Sequence, residues 1–135
     1  MLSDSPLRVY FVEDNAVIRD RLIVTLNEWV GITVAGHAEG EQAGSAWLTQ
    51  ADSVWDLAIV DLFLKQGNGL GVLQACRARR APRKVVVLTN YVTPDVRARC
   101  HAMGADAFFD KSSELEALFD YCTQLRTALQ APPAA

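Results

Sequence analysis

The chain has 135 residues, half of them apolar, and a formal charge of −3. That length supports one domain with a substantial core and needs no disulfide or metal staple, the composition excludes a disordered chain, and the acidic balance argues against a nucleic-acid surface. Residues 1–6 carry no basic region followed by an apolar segment, and no apolar run approaches bilayer-spanning length, so a cytoplasmic protein without membrane contact is expected.

Leu7–Val12 is dominated by β-branched, aromatic and other apolar residues and reads as a first strand that ends at Glu13-Asp14. Residues 16–30 repeat apolar positions at helical spacing, Ile18, Leu22, Leu26 and Trp29, and Gly31 closes that helix. Residues 32–36 read as a second strand, and a helix follows through about Gln50 with Ala43, Ala46, Trp47 and Leu48. Residues 55–60 form a third, short apolar strand that delivers Asp61 to its exit. The Gly67-Asn68-Gly69 turn then opens a helix that runs to about Arg80, before Ala81-Pro82. Lys84–Thr89 is the most uninterrupted apolar run, as expected of a strand covered on both faces. Thr93-Pro94 has the form of an N-cap with proline at the first helical position, and Gly104 ends the helix it opens. Residues 107–111 form the fifth strand. Ser113 and Glu116 have capping-box spacing for a last helix with the stripe Leu115, Leu118, Phe119, Cys122, Leu125 and Leu129. Residues 131–135 read as a frayed tail or a linker stub.

Strands alternating with helices over short connections predict an α/β fold, a parallel sheet with helices on both faces, as one domain with its core at 7–129. In such a sheet ligands bind beyond the carboxyl ends of the strands. The first strand ends there in Glu13 and Asp14, the third in Asp61, the fourth in Thr89 and the fifth in Lys111. Three carboxylates on one rim repel one another unless a cation sits among them, and their hard oxygen chemistry suits Mg²⁺ with water and phosphate oxygens. Lys111 adds a fixed positive charge and Thr89 a hydroxyl donor, so the group is equipped to neutralise a phosphoryl group on a carboxylate oxygen.

Glu13-Asp14, Asp61 in Asp-Leu-Phe-Leu-x-x-Gly-x-Gly-Leu, Thr89 and Lys111, each after the expected strand, closely resemble the receiver domains of two-component response regulators. The resemblance covers about residues 7–129 and implies a flavodoxin-like five-stranded sheet of order 2-1-3-4-5 with five helices. It implies that Asp61 accepts a phosphoryl group from a sensor histidine kinase or phosphotransfer protein, with Mg²⁺ bound by Asp14, Asp61 and the backbone carbonyl of Phe63, and by Glu13 through water. It also implies a switch in which Thr89 moves toward the phosphoryl group and the aromatic Phe108 turns inward. The face of the fourth helix, fifth strand and fifth helix then changes its protein partners. Output would pass through a downstream protein target, without direct nucleic-acid contact, and homodimerisation on phosphorylation is left open. Such a domain is a switch that promotes only its own phosphorylation and dephosphorylation.

Departures from the family pattern are specific. Ser112 stands where a proline joined by a cis bond is common, and a non-proline cis bond costs about 3–4 kcal/mol, which leaves that peptide's geometry open. Asn90 replaces the small residue usual after Thr89. Phe63 and Tyr91 are bulky where polar side chains are frequent, and they are expected to screen an acyl phosphate from water.

Each acid alone has a plainer reading: Glu13-Asp14 as a solvated turn, Asp61 as a helix cap, Thr89 as a strand end, Phe108 as core. The joint pattern outweighs these. Arg77, Arg79, Arg80, Arg83 and Lys84 read as a solvated helix end rather than a nucleic-acid patch. Cys76, Cys100 and Cys122 have no metal-ligand spacing and read as buried or half-buried thiols, His37 and His101 as surface or packing residues, and the three tryptophans as core. A receiver that is part of a longer regulator with an output domain is one alternative. A flavodoxin-like ligand carrier is disfavoured by the lack of a Ser/Thr-rich phosphate loop after the first strand. A phosphatase using Asp61 as nucleophile is disfavoured by Phe63 where a second acid would stand.

Overall fold

Side chains along a strand alternate between the two faces of a sheet, and the five apolar strands of this chain supply a core on each side. The structure is a computed structural model that describes residues 6–130. The tail expected at 131–135 lies outside the described residues. The elements are β1 (Leu7–Val12), α1 (Ala16–Trp29), β2 (Ile32–Ala38), α2 (Glu41–Thr49), β3 (Leu57–Val60), α3 (Gly69–Ala75), β4 (Lys84–Thr89), α4 (Pro94–Ala102), β5 (Ala107–Asp110) and α5 (Leu115–Gln130). The strands pair in parallel in the order β2-β1-β3-β4-β5, the flavodoxin-like order that the family resemblance implies.

Leu7, Val9, Phe11, Leu57, Ile59, Val86, Leu88 and Phe109 face α1 and α5, where they bury Leu22, Leu26, Leu118 and Cys122. The alternate residues Tyr10, Val12, Ala58, Val60, Val85, Val87 and Phe108 face α2, α3 and α4, against Leu48, Val72, Leu73 and Cys100. Register then fixes the rim. Val12 lies opposite Val60, Val60 opposite Val87 and Val87 opposite Phe108, so Glu13, Asp61, Thr89 and Lys111 all leave the sheet at its carboxyl edge. The predicted punctuation holds at α1, where Gly31 adopts a φ of +80°, and at α4, where the Thr93 hydroxyl accepts from the Val96 N–H at 3.1 Å.

Several expectations are corrected. The buried stripe of α1 is Arg19, Leu22 and Leu26, continued by Val30 just past the helix, while Ile18 is partly exposed and Trp29 is 70 % exposed, stacked on Phe119. The two stripes share the Leu22 and Leu26 positions and differ by a small rotation about the helix axis, which periodicity alone does not fix. Trp55 is buried as expected, Trp47 half-buried, and all three thiols are buried. The helix expected to reach Arg80 stops at Ala75, where the backbone tightens into three-residue turns, the Arg77 N–H on the Gln74 carbonyl and the Arg79 N–H on the Cys76 carbonyl. The Arg79 guanidinium caps the Cys76 carbonyl at 3.0 Å. Ser113 does not cap α5: the helix begins at Leu115, and Glu114 stands before it, its backbone carbonyl accepting from Leu118 and its carboxylate from the Asp110 N–H. Nor is the arginine cluster uniformly solvated. Arg79 also donates to the Gly104 carbonyl at 2.9 Å and pairs with Asp106, while Arg83 stacks over the Trp55 ring and donates to the Ser53 carbonyl. The Lys111–Ser112 peptide is trans.

Arg79 thus ties the end of α3 to the turn before β5. Arg79→Met takes the guanidinium from the Gly104, Arg83 and Cys76 carbonyls and leaves Asp106 Oδ2 with the Val85 N–H alone, and is expected to lower unfolding free energy in urea by about 2–4 kcal/mol. Arg77→Met, at an exposed neighbour, is expected to change it by less than about 0.5 kcal/mol.

Candidate functional site

Glu13 and Asp61 are the first residues beyond β1 and β3, and both are held by the ladders they leave. The Glu13 N–H donates to the Ala38 carbonyl and the Asp61 N–H to the Val12 carbonyl, each at 3.0 Å. Their carboxylates are buried, at 5 % and 8 % residue exposure. The Lys111 N–H donates to the Thr89 carbonyl at 2.9 Å, which carries the β4–β5 ladder past its last strand pair and sends the lysine side chain inward. Its ammonium reaches both acids, Glu13 Oε1 at 2.5 Å and Asp61 Oδ2 at 2.8 Å. Asp14 completes the group: one oxygen from each of Glu13, Asp14 and Asp61 lies within 4.8 Å of the others.

Burial pushes the Glu13 carboxyl above its ordinary value, against the opposing pull of Lys111 and of the Asn15 N–H. Burial alone would depress Lys111, but hydrogen bonds and charge from Asp61 and Glu13 outweigh it and hold the ammonium above its ordinary value. Three carboxylates against one ammonium leave a formal −2 at a mostly buried rim. At an effective dielectric near 20, like charges this close repel by roughly 3 kcal/mol per pair. Hard oxygen donors carrying that surplus fit a divalent cation.

The remaining predicted residues are less uniformly gathered. Thr89 is 1 % exposed, and its hydroxyl oxygen accepts from the Tyr91 N–H at 3.3 Å. The Phe63 N–H points at Asp61 Oδ1 at 3.4 Å, while its ring is 57 % exposed and meets Tyr91 edge-on, centroids 4.9 Å apart. Those two rings line an apolar hollow of about 200 Å³ with Leu62, Leu70 and Val96. Phe108 is already buried in the core on the α3–α4 side, with the Arg97 guanidinium 4.7 Å over its ring. Arg97, which the sequence reading did not single out, also donates to the Phe108 carbonyl and pairs with Glu114. Gly69 allows α3 to start against the site, since a Cβ there would collide with the Asp61 backbone. A larger hollow of about 770 Å³ lies at the opposite end of the sheet, beside Arg8, Asp56 and Arg80, and includes none of these groups. Among the described residues no helix is long and apolar enough to cross a membrane.

A family model described as the response regulator receiver domain matches residues 9–123. The photosynthetic apparatus regulatory protein RegA of Rhodobacter capsulatus is 32 % identical over 71 % of this chain and 51 % of its own length. The transcriptional regulatory protein PhoP of Escherichia coli K12 is 30 % identical over 82 % of this chain and 48 % of its own. The chain therefore spans about half the length of these curated relatives. A crystal structure of a response regulator from Burkholderia pseudomallei with a phosphorylated aspartic acid, a calcium ion and citrate superposes with a TM-score of 0.71. It covers 92 % of this chain and 71 % of that one, at 21 % identity.

Relieving the repulsion should stabilise the metal-free fold. Asp14→Asn is expected to raise unfolding free energy by about 1 kcal/mol in urea with chelator present. Excess divalent cation should erase that advantage, because only the intact acid cluster gains stability from binding.

Proposed function

The chain belongs to the response regulator receiver family, and from that premise we propose that Asp61 is its phosphoryl acceptor, within a single receiver unit spanning residues 7–129. The observation that carries this reading is the Lys111 ammonium shared between two buried strand-exit carboxylates, with Asp14 alongside. The donor is a phosphohistidine on a sensor kinase or phosphotransfer protein. An Asp61 carboxylate oxygen attacks the phosphorus, the P–N bond breaks as the P–O bond forms, and the histidine nitrogen leaves with the bonding pair and takes up a proton.

Asp14, Asp61 and the Phe63 carbonyl, with Glu13 through water, would hold Mg²⁺, which when bound supplies charge neutralisation for the phosphoryl oxygens. Lys111 exchanges a carboxylate oxygen for a phosphoryl oxygen, which preserves its charge pairing through the transfer. The Thr89 hydroxyl, whose oxygen accepts from the Tyr91 N–H, has its own proton to donate and takes the remaining position as it moves toward the phosphoryl group. Phe108, inward in this structure, is assigned the switch position: phosphorylation favours the state in which Thr89 has moved and Phe108 stays buried. The output is a change in protein contacts at the α4–β5–α5 face, in the cytoplasm, with a downstream protein or a linked output domain as target.

Incubation with acetyl phosphate and Mg²⁺ is expected to add one phosphoryl group by intact mass, absent in Asp61→Asn and with chelator. An unmodified wild-type chain under those conditions would overturn the assignment. The Phe63 and Tyr91 rings meet edge-on two residues beyond Asp61 and Thr89, and their proposed role is to screen the acyl phosphate from water. Phe63→Asn and Tyr91→Glu are each expected to shorten the phosphoryl half-life several-fold, read by mass against time after donor removal, whereas unchanged decay would remove the screening role.

A further inference from the structure

Two groups proposed to face the metal, the Asp61 carboxylate and the Phe63 carbonyl, belong to the connection between β3 and α3. That segment, residues 61–68, is outside the sheet and contains Gly67 at a φ of +72°. Its fixed point is the start of α2. The Glu41 N–H donates to the Gln66 carbonyl at 2.9 Å, and the Gln42 N–H to Gln66 Oε1 at 3.1 Å. In the other direction, Glu41 Oε1 accepts from the Asn68 N–H at 2.9 Å. Gly40 and Gln66 form a parallel bridge, and Phe63 and Asn68 an antiparallel one. A continuous path therefore runs from the Glu41 carboxylate through Asn68 to Phe63, whose N–H faces Asp61 Oδ1.

Asn68 is held at a junction, because its side chain also caps α3 by accepting from the Gly71 N–H at 3.2 Å. Glycine at 71 leaves room for the strap, since a Cβ there would overlap the Glu41 carboxylate. We propose that Glu41 is a positioning residue for the cation site. Its hydrogen bond to Asn68 sets where the Phe63 carbonyl stands beside the Asp61 carboxylate, without touching the ion. The proposal rests on the Mg²⁺ site assigned above.

The test is calorimetric titration of Mg²⁺ into the full chain, with urea unfolding of each variant to register any loss of fold. Glu41→Ala removes the acceptor for Asn68 and is expected to weaken Mg²⁺ binding about tenfold, the scale on which groups behind a metal's own ligands act. Glu41→Gln keeps the acceptor oxygen while removing the charge, and is expected to stay within about twofold of wild type, a much smaller loss than losing the oriented contact would bring. Gly71→Ala leaves Glu41 in the sequence but displaces its carboxylate, and is expected to follow Glu41→Ala. Wild-type affinity in Glu41→Ala or in Gly71→Ala would overturn the proposal. So would an equal loss in Glu41→Gln and Glu41→Ala, which would reduce Glu41 to a general charge effect. A wild-type chain that takes up no Mg²⁺, or an Asp14→Asn chain that binds as tightly as wild type, would instead overturn the cation site itself.

Discussion

One ammonium group reconciles the sheet with its own rim. Lys111 stands between Glu13 and Asp61, and without it two buried carboxylates would face each other with no compensation beyond backbone donors. Partial neutralisation is the significant feature. Two further lysines would have balanced the three carboxylates and stabilised the fold, but they would have left no electrostatic demand for a cation. The rim is kept charged at some cost in stability, the usual relation between a fold and its reactive site.

The same lysine stands at the root of a second set of contacts. Asp110, immediately before it, accepts from both the Ser112 N–H and the Ser112 hydroxyl, and those hydrogen bonds hold its carboxyl below the ordinary value. The Asp110 N–H in turn donates to Glu114, which pairs with Arg97, and Arg97 lies over Phe108. The turn after β5 therefore joins the charged rim to α4 and α5 through oriented polar contacts rather than through loose packing. With proline at 112 the N–H donor of this turn would be missing; serine supplies two donors to Asp110 and goes with a trans peptide. The position where the chain departs from the family pattern is thus occupied by a residue with a role of its own.

What the sequence made legible follows from which interactions are local. Val9, Phe11, Ile59 and Val86 announce buried strands through composition, and the exits of those strands follow by counting, so Glu13, Asp61, Thr89 and Lys111 could be placed before any coordinates. Parallel register is decided by the same alternation, since a slip of one residue would turn a whole strand inside out. Helix faces were less legible. In α1 the choice between Trp29 and Val30 as the inward residue depends on what β2 and α5 present, and Trp29 ends on the surface against Phe119. Arg79 looks solvated in the sequence for a related reason: its partners Gly104 and Asp106 are distant along the chain, and a charged residue whose partners are distant resembles a solvated one.

The division between legible and illegible parts also separates the site's residues by how firmly they are held. Glu13, Asp61 and Thr89 hang from central strands and Lys111 from the end of the edge strand β5, so their backbone positions are set by a ladder that spans the core. Phe63, Asn68 and Tyr91 belong to connections whose geometry depends on side-chain contacts such as Glu41 with Asn68 and Phe63 with Tyr91. Such contacts open at far lower free energy than a core ladder does. The proposed acceptance of a phosphoryl group would draw on both kinds of support: charges that stay where the sheet puts them, and neighbouring connections that can open without disturbing them. Strand composition encodes the first, whereas the second is written only in pairings between residues far apart in the chain, with the glycines at 69 and 71 as its faint trace in the sequence.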